Sequence, residues 1–146
     1  MKKVNQHQFR TMLTIIWGAL FSSHFTFAIV AFMTRFSDFS IDEMLFYDEG
    51  KMPFIILAGI CFVTSFAVVI FFRKQSVEDG IIVNQEKYQI GHIITWAITE
   101  NITILGLVVS LTRNSNSFLP FLFVGVATML IHFPKELYAA KPAGLK

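Results

Sequence analysis

One ionisable side chain, Glu100, stands 12 residues into a run, 88–112, that carries no other charge. An acid at the centre of a membrane helix costs about 2.5–3.5 kcal/mol on insertion scales, which makes Glu100 a functional candidate by default. Desolvation favours the neutral form of a carboxyl group, and a neutral carboxyl can exchange a proton. The chemistry that follows is proton binding; the plainer alternative is a structural acid hydrogen-bonded to a neighbouring helix. Thr103 lies one helical turn from Glu100, and its hydroxyl either donates to the carboxyl or bonds back to its own helix, as membrane threonines commonly do. His24 closes a polar cluster, Ser22-Ser23-His24, near the middle of the first apolar run. If the first and third runs touch, His24 and Glu100 are placed either to share a proton or to form a buried hydrogen bond; otherwise His24 satisfies itself on a local carbonyl or faces another subunit.

Around Glu100, His92, Trp96, Thr99, Thr103, Gly106 and Ser110 recur at helical spacing and form a seam of small or polar positions, the kind that lets membrane helices pack closely. His92 and His132 fall near the ends of their runs, where interfacial placement accounts for them. No metal site is expected, and the single cysteine, Cys61, rules out a disulfide within the chain. No cofactor motif is present.

The elements that must position these residues follow from composition. Of 146 residues, 54% are hydrophobic and 15% charged, well below the quarter charged that is usual in soluble domains; the mean hydropathy is +0.59. Four runs, 11–34, 52–72, 88–112 and 117–134, contain no charge but Glu100. A bilayer core of about 30 Å needs about 20 helical residues, so each run is long enough, or nearly so, to cross once. None alternates as barrel strands do. The expected fold is all-α integral membrane: one domain, 1–146, of four transmembrane helices. An N-terminal signal peptide cut after Ala28 is the competing reading of the first run, but the apolar stretch continues through residues 29–33, beyond a signal core of roughly 7–15 residues.

Charge sets the expected orientation. One side holds Lys2, Lys3, Arg10, Arg73, Lys74, Lys87, Lys135, Lys141 and Lys146, and the other only Arg35, Lys51 and Arg113. By the positive-inside rule both termini are cytoplasmic, in an inner or plasma membrane. The first external loop is acidic and aromatic, and Ser40 with Glu43 has capping-box spacing for a short interfacial helix. The turn around 113–117 is tight, which makes the third and fourth helices antiparallel neighbours. Basic residues are scattered, so nucleic acid is not an expected partner.

The stretch Ala97-Ile98-Thr99-Glu100-Asn101-Ile102-Thr103-Ile104-Leu105-Gly106-Leu107-Val108-Val109-Ser110 resembles the carboxylate helix of the proteolipid subunits that form the rotor rings of F-, V- and A-type ATPases. An alanine three before the acid, a glycine six after it and a Leu-Val-Val-Ser tail are shared, and both helices run outward from a cytoplasmic loop. The resemblance implies that Glu100 matches the ion-carrying carboxylate and that the chain forms a homo-oligomer, with a ring as one form it could take. It covers about a tenth of the chain; Leu105 stands where the family has tyrosine, and the inner-helix glycine repeat is absent from 52–72.

Three functional classes follow. The first is a proteolipid-like oligomer with Glu100 as a proton site and Thr103 and His24 as partners. The second is a non-catalytic scaffold or accessory subunit that docks other membrane or peripheral subunits, with Glu100 structural. The third is a small transporter or channel with a polar path along His92, Thr99, Glu100 and Thr103. No nucleophile motif supports an enzyme.

Overall fold

Each apolar run forms the body of a helix in the computed structural model, which describes residues 6–35, 49–113 and 118–139. Helix α1 spans Gln6–Arg35, α2 Met52–Ser76, α3 Gln85–Arg113 and α4 Phe118–Ile131, with a short α5 at Glu136–Ala139. The described residues are almost wholly helical, an all-α fold with one two-residue hairpin. Four segments, His7–Thr34, Met52–Ser76, Gln85–Thr112 and Phe118–Tyr138, are long and apolar enough to cross a membrane. The acidic loop with Ser40 and Glu43, the turn after Arg113 and the C-terminal tail fall largely outside the described residues.

Local chemistry sets the boundaries. Helix α2 starts with Pro53 in its first turn, behind a 3-10 turn at Glu49–Lys51; the missing proline N–H costs nothing there. Val77, in extended conformation, ends it. The chain then pairs Val77 with Ile82 and Glu78 with Ile81 around Asp79 and Gly80, whose φ angles of 49° and 77° both lie in the left-handed region. An Asp-Gly pair with positive φ at both positions is the type I′ turn that matches hairpin twist. The Asn84 side-chain oxygen then accepts the Lys87 N–H at 3.0 Å and caps α3. At the other end of the chain, α4 gives way to a turn ahead of Pro134, which cannot continue a helix.

Helix α3 is the centre of the bundle and packs against α1, α2 and α4; α1 also rests on α4. Side-chain pairs give the directions. Phe9 meets Tyr88 and Ser23 meets Glu100, so α1 and α3 run parallel. Phe72 packs at Gly91, Phe121 at Gly106, and the Trp96 indole N–H donates to the His132 carbonyl at 3.1 Å, so α2 and α4 run opposite to α3. Two apolar clusters fill the interior. Phe9, Leu13, Tyr88, Trp96, Met129 and Leu137 pack where α1 and α3 begin; Ala58, Ile102, Val109 and Phe121 pack toward the other end. The N-terminal half of α1 is tied to the C-terminal segment: Trp17 Nε1 donates to the Met129 carbonyl at 3.2 Å, Thr14 Oγ1 lies 2.9 Å from the Tyr138 hydroxyl, and the Arg10 guanidinium covers the Tyr138 ring at 3.8 Å. Large apolar side chains on the outward faces, Ile15, Ile29 and Met33 of α1 and Ile56, Val63 and Phe71 of α2, are exposed.

Candidate functional site

Glu100 sits half-buried near the middle of α3, on the side facing α1. Its partner is Ser23, whose Oγ lies 2.5 Å from Glu100 Oε1 and 2.6 Å from the Leu20 carbonyl oxygen. A serine hydroxyl has one proton to donate and lone pairs to accept with. When that proton goes to the carboxylate, Ser23 stabilises the charged acid. When it goes to the Leu20 carbonyl, the Ser23 oxygen is free to accept from a protonated Glu100. Either state is served by turning one O–H bond.

His24 takes a different position from the proton-sharing one considered in the sequence. Its ring is buried, with Nδ1 3.1 Å from the same Leu20 carbonyl, and it makes no hydrogen bond to Glu100, although it remains within electrostatic reach of it. Its Nε2 lies on the far side of the ring, beside the backbone of Gly125 on α4. Ser22 turns back on the Gly18 carbonyl at 2.8 Å. Successive residues of the Ser22-Ser23-His24 triplet step by about 100° around α1, so only one of them can meet Glu100. Thr103 is buried, and its hydroxyl bonds neither the carboxyl nor its own helix; it faces Gly125 of α4.

The rest of the seam is buried along α3. His92, Trp96, Thr99, Thr103, Gly106 and Ser110 are each enclosed. Thr99 donates to the Thr95 carbonyl at 2.9 Å, and Gly106 admits Phe121 of α4. The Ser110 hydroxyl and His92 Nδ1 have no hydrogen-bond partner.

A second polar cluster, not anticipated from the sequence, joins α2, α3 and the segment after α4. His92 and His132 are buried within the bundle, at 6% and 4% exposure. His132 is drawn inward because its Nε2 lies 3.1 Å from Ser65 Oγ and its carbonyl receives the Trp96 indole. Toward the start of α3, Arg73 pairs with Glu136 at 2.8 Å, the Tyr88 hydroxyl donates to the other Glu136 oxygen at 2.9 Å, and the Tyr88 and His92 rings lie 4.4 Å apart. Nothing local to Arg73 names Glu136, 63 residues on. Among the described residues, no three His, Cys, Asp or Glu side chains converge to hold a metal ion.

No protein-family model, curated protein or solved structure matches the chain.

Proposed function

We propose that the chain crosses a bilayer four times with both termini cytoplasmic, and that Glu100 is an intramembrane proton-binding carboxyl held by Ser23. The observation that carries this reading is the placement of one Ser23 oxygen within hydrogen-bond distance of both a pure acceptor, the Leu20 carbonyl, and Glu100. Such a hydroxyl accommodates both forms of the acid with no movement of the helices. The exposed apolar faces of α1 and α2 support a lipid environment, and the excess of Lys and Arg on the terminal side supports the orientation. Assembly into a proteolipid-like homo-oligomer is part of the proposal, supported by the sequence around Glu100.

A second reading is a scaffold in which Glu100 only fastens α1 to α3. It is favoured by the same Ser23–Glu100 contact, one of the few polar ties between those two helices.

A hydrophobic carbodiimide, which reacts with protonated carboxyls, separates the two. Proton binding predicts labelling of Glu100 in membranes at low pH that declines as pH rises and is abolished in Glu100→Gln, with the fold intact. Absence of labelling where the reagent demonstrably enters the bilayer refutes the proton site. If Glu100→Gln instead disrupts the fold or assembly, the scaffold reading stands. Native mass spectrometry tests the oligomer, and a reporter fused after Lys146 that proved external would overturn the topology.

A further inference from the structure

The outward side of α3 repeats every seven residues. Ile90, Ile94, Ala97, Asn101, Val108 and Leu111 are exposed, and half-buried Ile104 fills the one remaining place in a series whose steps alternate four and three. Asn101 lies two residues, about 200°, around the helix from Thr103, which faces α4, so the stripe points away from α4. It lies between the sides of α3 that meet α1 at Glu100 and α2 at Gly91. All its members but one are apolar. The exception, Asn101, stands beside Glu100 at the middle of the run 88–112.

The chemistry of an amide decides what belongs against this face. Ser22 and Thr26, also exposed, show how a hydroxyl is accommodated on an outward surface: each donates its single proton to a carbonyl one turn back, Gly18 at 2.8 Å and Ser22 at 3.3 Å. Asn101 does the same with one amide proton, its Nδ2 lying 3.0 Å from the Ala97 carbonyl oxygen. An amide also carries a second N–H and an acceptor oxygen. The backbone N–H groups around Asn101 are committed to the ladder of α3, so its own helix has no donor for Oδ1, and lipid tails supply neither donor nor acceptor. The group that supplies both, at the same depth and on a surface of the same spacing, is the same amide on a second copy of the chain.

We infer that two copies of the chain associate through this face of α3, with the two Asn101 amides hydrogen-bonded to each other across a two-fold axis. The alternating steps are those of a coiled-coil seam, with Ile94, Asn101 and Val108 at one core position and Ile90, Ala97, Ile104 and Leu111 at the other; a lone asparagine among β-branched residues at the first position fixes register in such seams. Copies inserted with the same topology hold their third helices parallel, so an axis along the membrane normal sets each residue of the stripe opposite its counterpart. Small Ala97, one turn before Asn101, lets the backbones approach. Glu100 points to α1, so the contact leaves its bond to Ser23 in place. The inference rests on the four-crossing topology proposed above and gives the homo-oligomer its contact.

Resonance energy transfer tests it, with the full-length chain carrying a donor or acceptor dye after Lys146 and reconstituted in phosphatidylcholine and phosphatidylglycerol vesicles over a series of protein-to-lipid ratios. The wild type should associate. Asn101→Val should weaken the association by about 5- to 30-fold, and Asn101→Gln, which keeps an amide, should retain most of it. In a Cys61→Ser background, Val108→Cys should form a disulfide between copies under mild oxidation, whereas Val63→Cys, on the exposed face of α2, should not. Energy transfer no greater than random proximity gives, association undiminished in a folded Asn101→Val protein, or cross-linking at residue 63 as efficient as at 108 overturns the interface. Should the valine variant fail to fold, the cross-linking comparison, made with Asn101 intact, decides alone. The claims fail separately: an oligomer in native mass spectrometry with undiminished Asn101→Val association removes this contact and leaves the homo-oligomer, and absent carbodiimide labelling of Glu100 refutes the proton site and leaves the α3 pair standing.

Discussion

Gly106→Ala is the most direct probe of the seam between α3 and α4. A Cβ at Gly106 would lie 2.5 Å from Phe121 Cβ, 3.0 Å from Phe121 Cγ and 3.3 Å from the Phe118 carbonyl oxygen. Phe121 Cβ is fixed to its backbone and the carbonyl is backbone itself, so no change of rotamer relieves the overlap. The helices must separate. Overpacking of this kind costs about 1–3 kcal/mol, and the better helix propensity of alanine returns about 0.5–1 kcal/mol. A net loss of about 1–2 kcal/mol shifts the unfolding equilibrium by roughly 5- to 30-fold. Gly59 on α2 is the matched control, because an added Cβ there meets nothing within 4 Å; Gly59→Ala should be neutral or stabilising by up to about 1 kcal/mol. Reversible unfolding in mixed micelles, followed by circular dichroism, reads both. Equal stabilities for the two variants would show that α3 and α4 do not meet at this level, and the seam would fail with them.

Three further substitutions probe other ties in the same assay. Trp96→Phe keeps an aromatic ring but removes the N–H that reaches the His132 carbonyl; with a buried carbonyl left unpaired, the expected loss is about 1–3 kcal/mol, and an unchanged midpoint would refute that bond. For Arg73 and Glu136, whose side chains are 62% and 13% exposed, a double-mutant cycle of the glutamine variants should give a coupling of about 1 kcal/mol or less after solvent screening. A coupling well above that would mean the pair is enclosed. Gly80→Val places a β-branched residue at φ 77°; it should destabilise by about 1–2 kcal/mol, whereas the same change at Ile81, whose φ is negative, should not strain the backbone.

The helices were legible because charge is excluded from long runs, and the position of Glu100 was legible for the same reason. The hairpin was not expected from the sequence, although Asp79-Gly80 between Val77 and Ile81-Ile82 carries a short hairpin signal. Which of Ser22, Ser23 and His24 meets Glu100 was not. That depends on how α1 is rotated, and a helix apolar on nearly every side does not encode its rotation. His24 stood out as the titratable member, yet the adjacent serine faces the acid. The links of Ser65 to His132 and of Glu136 to Arg73 and Tyr88 were hidden for a related reason. Each joins residues distant in sequence through the tilt and register of packed helices, and no spacing within one helix records them. The burial of His92, Thr99, Thr103 and Ser110, by contrast, follows the helical repeat that the sequence displays.

The ties between α1 and the C-terminal segment bear on how the chain is assembled. Thr14 and Tyr138 are 124 residues apart, so the N-terminal half of α1 finds Tyr138 only when the last residues of the described fold have emerged. Helices α2 and α3, joined through the hairpin around Asp79-Gly80, are the earliest pair among the described helices able to dock. Trp17 and Arg10 of α1 meet Met129 and Tyr138 only after α4 and the segment behind it have emerged. A chain ended after Phe133 would lack Tyr138, the partner of Thr14 and Arg10, and would leave its first helix only partly secured.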